Sequence, residues 1–167
     1  MFRPIALAAA LCAFVVTPAM ADCTVDDPKV KAYLSTLPGW HVITNADLYA
    51  DDAALWKEHR GNACPGLARV DLQGEGRTSY GLVILSKDRM RMVVLVDAKS
   101  GFTEHILFDG PLDHMVVHTE APGPAYEFET REKIQIPNQS LVFEKLEVGA
   151  VLYYWRNGKL EEIIVSG

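Results

Sequence analysis

The chain has 167 residues, 49% of them hydrophobic, and sets 16 Lys and Arg against 22 Asp and Glu for a formal net charge of −6. That length suits one domain with a substantial core. A surface of this sign repels nucleic acid and anionic lipid, so neither is expected as a partner.

Residues 1–21 read as a secretory signal peptide. Arg3 supplies the positive start, Ile5 to Val16 is an uninterrupted apolar run, and Ala19-Met20-Ala21 offers the small-x-small cleavage pattern. The run is too short for the roughly 20 residues a membrane span needs. Asp22 stands before Cys23, where a lipoprotein signal needs a small residue. The expected product is a single globular domain over residues 22–167, periplasmic or secreted, with no membrane insertion after leader removal.

Arg3 and Cys12 leave with the leader, so 15 Lys and Arg then face 22 Asp and Glu, a net charge of −7, and only Cys23 and Cys64 remain. In an oxidising compartment two cysteines most simply form one disulfide. The alternative, Cys64 as a nucleophile assisted by His59, needs a thiolate that a disulfide sulfur lacks.

Asp26 and Asp27 before Pro28 form a helix start, and Val30, Tyr33, Leu34 and Leu37 recur at helical spacing until Pro38-Gly39. A second helix is expected from Asp51 or Asp52 to Gly61, with Trp56 in the core and His59 and Arg60 at the negative C-terminal end. From Gly66 onward, runs of strand length alternate with turn signals. Leu67 to Leu72, Tyr80 to Ser86, Met90 to Ala98 and Thr103 to Phe108 come first. Met115 to Thr119, Ser140 to Leu146, Val148 to Trp155 and Leu160 to Val165 follow. Asn157-Gly158 is the clearest hairpin turn, because a type I′ turn needs positive φ at both central positions. Such short connections cannot make parallel crossovers. The expected class is therefore α+β, two short N-terminal helices packed on a mainly antiparallel meander sheet. Residues 120–139, with Pro122, Pro124 and Pro137, read as the longest irregular stretch and a partner-contacting loop.

One stretch has a recognisable chemical layout. Asp71, Gln73, Glu75 and Ser79 alternate through Asp71-Leu72-Gln73-Gly74-Glu75-Gly76-Arg77-Thr78-Ser79, with the Arg77 carbonyl between them and Tyr80 opening the next strand. This resembles the calcium loop of FG-GAP or VCBS-type repeats, whose alternate oxygens would curl around Ca²⁺. Asp71 and Glu75 are nearly cancelled here by Arg69 and Arg77. The expectation is a turn in which the Arg77 fork bridges Asp71 and Glu75 where an ion would otherwise sit. Calcium as a cofactor on Asp71, Gln73, Glu75 and Ser79 is the alternative.

Leu-Pro-Gly-Trp (37–40), Ala-Leu-Trp (54–56), Cys-Pro-Gly (64–66), the glycine loop and Tyr-Tyr-Trp-Arg-Asn-Gly-Lys (153–159) also occur in this order in a loose group of small exported bacterial proteins, which the chain resembles. The likeness implies one compact domain carrying a single such loop rather than a propeller, which would need internal repeats. It implies no activity.

Chemistry-bearing residues are otherwise dispersed. His114 and His118 flank a strand, where four residues span about 13 Å, too far to share one ion. His105 could join them only through the fold. No Gly-x-Ser-x-Gly, His-Glu-x-x-His or phosphate-cradling loop is present. Glu127, Glu129, Glu132, Glu144 and Glu147 offer carboxylate pairs only if a pocket raises one pKa. Tyr153, Tyr154 and Trp155, with Phe143 and Tyr126, are either hairpin packing or a ligand-stacking patch.

The resulting reading is a non-enzymatic periplasmic or secreted binding protein, an inhibitor or immunity-type partner of another exported protein or cell-envelope component. The rivals are an envelope hydrolase using His105, His114 and His118, and a calcium-responsive module using Asp71 to Ser79.

Overall fold

The computed structural model describes residues 23–167, so the leader and its cleavage site lie outside the described residues. Two helices, α1 (Pro28–Ser35) and α2 (Ala50–Arg60), flank β1 (His41–Val42) and a 3₁₀ turn at Asn45–Asp47. Then come β2 (Leu67–Val70), β3 (Ser79–Ser86), β4 (Arg89–Ala98), β5 (Gly101–Pro111), β6 (Val116–Glu120) and β7 (Gly123–Tyr126). The chain closes with β8 (Lys133–Ile136), β9 (Ser140–Lys145), β10 (Gly149–Arg156) and β11 (Lys159–Ser166). Strands hold 48% of these residues and helices 15%, so the α+β expectation is corrected: the fold is essentially all-β.

The single meander is replaced by three antiparallel sheets. Sheet A runs β1-β3-β4-β5, with β2 also on β3. Sheet B runs β11-β10-β9-β6, and β7-β8 is a two-stranded ribbon. The reason is burial. Val70, Val83, Val94 and Val96 of sheet A share one core with Val117, Leu141, Phe143 and Tyr153 of sheet B, so the sheets face one another. One sheet could not have covered so many apolar residues on one side.

The helices serve this arrangement without defining it. Asp27 caps α1 by accepting from the amides of Lys29 at 2.7 Å and Val30 at 3.3 Å, with Pro28 preset for the first turn. Val30, Tyr33, Leu34 and Leu37 then cover the outer face of sheet A over Leu82, Ile84, Val93 and Leu95. Helix α2 ends at Gly61 (φ 62°) and buries one large side chain, Trp56, in the inter-sheet core. Trp56 Nε1 donates to the Ala63 carbonyl at 2.8 Å, so its polar edge is satisfied there.

Residues 120–139 are more ordered than their prolines suggested. They contain the β7–β8 ribbon, in which Pro124 faces Gln135 and Tyr126 faces Lys133. Proline is tolerated because a two-stranded ribbon leaves outward edges that need no N–H. The missed signal is the alternation Lys-Ile-Gln-Ile. Ala125, Ile134 and Ile136 cover Val142, Leu152 and Tyr154 on the outer face of sheet B.

Cys23 and Cys64 are joined, 41 residues apart. The bond fits a non-cytoplasmic protein. Among the described residues no helix is long and apolar enough to cross a membrane. Both sulfurs lie against the Ile43 carbonyl oxygen, at 3.4 and 3.7 Å. Gly66 packs there too: an added Cβ would sit 2.6 Å from Ile43 Cγ1 and 2.7 Å from its backbone nitrogen. Replacing both cysteines by serine is expected to lower the unfolding free energy by about 4 kcal/mol on chain entropy alone. Urea titration of the folded domain checks this, and the loss should equal that of reducing the native protein.

Candidate functional site

The glycine loop is built around its own carboxylate. Asp71 Oδ1 accepts from the Glu75 amide at 3.2 Å and Oδ2 from the Gly76 amide at 2.8 Å, while Gly74 and Gly76 take φ of 69° and 72°. Arg77 pairs with Glu75 at 2.7 Å as expected, but its second partner is Asp97 at 3.7 Å rather than Asp71. Ser79 is fully buried, and its Oγ accepts from the Asp97 amide at 3.0 Å. Gln73 Oε1 is enclosed without a partner. Asp71 is thus engaged by the loop's own amides and Ser79 by the backbone of β4. No group of three or more His, Cys, Asp or Glu among the described residues is arranged to hold a metal.

The aromatic residues divide between two faces. Tyr153 is 7% exposed and stands edge-on to Phe143 in the inter-sheet core, at 5.6 Å between centroids. Tyr154 is 2% exposed on the opposite face and donates to Glu161 at 2.9 Å. Trp155 packs partly buried against the inter-sheet core. Only Tyr126, 52% exposed on the β7–β8 ribbon, presents its ring to solvent. The four do not form a common stacking patch.

The histidines are separated as well. His105 lies on β5 opposite Val94. His114 precedes β6 in a left-handed conformation (φ 32°), with its ring 3.7 Å from that of Tyr49. Among the described residues, no hydrogen bond, ion pair or ring contact joins any two of His105, His114 and His118. His118 lies in a cleft.

That cleft is set by β6 pairing with β9. Val116 faces Glu144, His118 faces Val142 and Glu120 faces Ser140, so alternation brings His118, Glu120 and Glu144 onto one side. The end of α2 adds Arg60. Arg60 Nη2 lies 3.0 Å from His118 Nε2 and 3.5 Å from Glu120. Glu144 Oε2 lies 3.4 Å from the same imidazole nitrogen, and Glu120 Oε1 is 3.4 Å from Nδ1. Nε2 cannot accept from Arg60 and donate to Glu144 at once. Both contacts share that one ring nitrogen, while the Thr119 carbonyl lies 3.4 Å from Nδ1.

Three clefts meet at this group. One of about 410 Å³ lies under the ribbon between Tyr126 and the sheet, with Arg60, His118, Glu120 and Glu144 at its polar end. A second, about 520 Å³, shares Arg60 and Glu144 and extends to His59, Leu146 and Glu147. The third, about 380 Å³, reaches His118 from the side of Trp56 and Arg69. The contact with His118 holds the Glu144 carboxyl below the ordinary 4.5; burial opposes this, and the charges of Arg60 and His59 assist it.

What separates this group from other charged clusters is how little of its capacity is used. Asp109 accepts from Arg91 at 2.9 and 2.6 Å and also from Arg89. Asp47 closes a capping box with Thr44 and reaches His41 at 3.2 Å. Glu144 has one polar contact, at 3.4 Å. Sequence reasoning read Arg60 only as a helix-end charge and Glu144 as one acid among many. Their meeting depends on β6 finding β9 across the ribbon, which no local pattern announces.

Comparison with protein-family models, with curated proteins and with solved structures returns no match.

Two outcomes follow. Because the Glu144 carboxyl is held low, its contribution is present above 4.5 and lost as the pH falls through its folded value. Glu144→Gln should therefore cost about 0.5–1 kcal/mol at neutral pH and progressively less in acid, read by urea unfolding across pH. Asp71→Ala should cost about 1 kcal/mol through its two amide bonds, while millimolar Ca²⁺ leaves the melting temperature of the native protein unchanged.

Proposed function

We propose that the protein is a non-catalytic binding module of the periplasm or secreted space, an inhibitor or immunity-type partner of a basic exported protein. Its contact face is the one where the three clefts meet. The observation that carries this reading is a loosely paired couple of carboxylates, Glu120 and Glu144, at the junction of those clefts and beside the exposed Tyr126. A net charge of −6 would steer a basic partner toward such a face.

The geometry lends less to the rivals. A hydrolase built on His105, His114 and His118 would need them in one pocket, and they occupy three places. A calcium-responsive module draws less support from a loop whose Ser79 is buried on the Asp97 amide and whose Glu75 is paired with Arg77. Likeness to exported proteins with a single FG-GAP-like loop is kept as a proposal about origin, with the loop acting as a turn.

Affinity capture from cell-envelope extract with the mature protein tests the reading. The native chain should retain a basic protein that Glu120→Lys and Tyr126→Ala variants, folded and disulfide-bonded, release. Recovery of the same proteins by native and variant chains would overturn it.

A further inference from the structure

We infer that the cleft beneath the β7–β8 ribbon is a receptor for one arginine side chain of the partner. The inference rests on the binding reading above and names the chemistry of its contact.

The cleft is amphipathic along its length. Its floor is apolar: Val142 from β9, Ala150 and Leu152 from β10, and Val165 from β11. Its wall is Pro124, Ala125 and Tyr126 of the ribbon. Its far end is polar, with Glu120 and Glu144 on either side of His118. An apolar channel closing on two carboxylates matches a side chain with an aliphatic stem and a cationic head.

Charge decides between a cation and an anion. Two carboxylates stand there against a single fixed cation, Arg60, and Glu147 lies in the adjoining cleft. Arg60 does not consume them. It approaches Glu120 through one nitrogen at 3.5 Å, and its short contact is to His118. Neither carboxylate has the two-point pairing that Arg91 gives Asp109. A guanidinium, planar and with five donors, can bond both carboxylates at once, whereas a lysine head is a point charge. The Tyr126 ring, 52% exposed, lines the cleft and offers its apolar face to the aliphatic stem.

The test is a titration of the mature, disulfide-bonded protein with N-acetyl-arginine methylamide, followed by amide NMR. N-acetyl-lysine methylamide, N-acetyl-norleucine methylamide and inorganic phosphate serve as comparison probes. Saturable shifts at Ala125, Val142 and Leu152 are expected with the arginine probe, weaker ones with lysine, and none with norleucine or phosphate. Glu120→Gln, which leaves Glu144 and its contact in place, should weaken the arginine probe about tenfold. Equal binding of norleucine, preferential binding of phosphate, or no shift with arginine would each overturn the inference. If the arginine probe fails while envelope capture still depends on Glu120, this inference falls and the binding reading stands. If the probe binds and capture finds no partner, the inference stands and the binding reading falls.

Discussion

Strand β3 has no solvent-facing side, and the rest of the molecule is arranged around that fact. Leu82, Val83 and Ile84 are fully buried, each side chain contributing about 1.5–3 kcal/mol on removal from water. Such a strand must find partners for every backbone group, because none can turn to solvent. On one edge it pairs with β4, and on the other with β2 and β1 placed end to end. The gap between those two falls at Val83. Its amide donates to the Gly66 carbonyl at 3.0 Å and its carbonyl accepts from the Ile43 amide at 3.1 Å, so no group is orphaned. The glycine at 66 is a requirement of this junction, since Ile43 leaves no room for a side chain opposite it.

The same strand positions the candidate site. Gly81 is where sheet B comes down on sheet A: a Cβ there would lie 2.8 Å from Val117 Cγ2 and 2.9 Å from Leu141 Cδ2. Val117 is also held by its amide, which donates to the Pro65 carbonyl at 2.8 Å. With Val117 fixed inward by packing and hydrogen bonding, the alternation of β6 turns His118 outward, toward Arg60 and Glu144. The His118 imidazole is thereby placed by packing at Gly81 and a hydrogen bond to the Pro65 carbonyl, both made by its neighbour Val117.

How far this was legible in the sequence depends on the range of the cause. Local causes were readable. The Asp27-Pro28 start, the Gly61 stop, the Asn157-Gly158 turn with φ of 52° and 77°, and the eight longer strands all follow from residues within a few positions. The disulfide followed from there being only two cysteines after residue 21. What escaped needed long-range information. The continuous apolar run of β3 could not say that a second sheet would cover it, so the class was read as helices on one sheet. Pro122, Pro124 and Pro137 hid a ribbon whose order comes from covering Val142, Leu152 and Tyr154. Alternation in β10 did place Tyr153 and Tyr154 on opposite faces, but only the two-sheet packing buries both.

The Arg60 contacts also explain how such a cleft stays stable when nothing fills it. Two carboxylates on one side of a sheet, near a half-buried ring, would repel each other and raise the cost of folding. One guanidinium at 3.5 Å from Glu120 and within the field of Glu144 relieves that repulsion without two-point pairing. Partly exposed pairs of this kind contribute at most about 1 kcal/mol, so little is lost when a better-placed cation replaces them. Asp109 shows the opposite design. With Arg91 paired through two nitrogens and stacked 4.7 Å from the Trp40 ring, a cation arriving at Asp109 would have to dismantle a completed network. Both clusters are acidic and both hold arginine, but the pairing at His118 is the looser of the two.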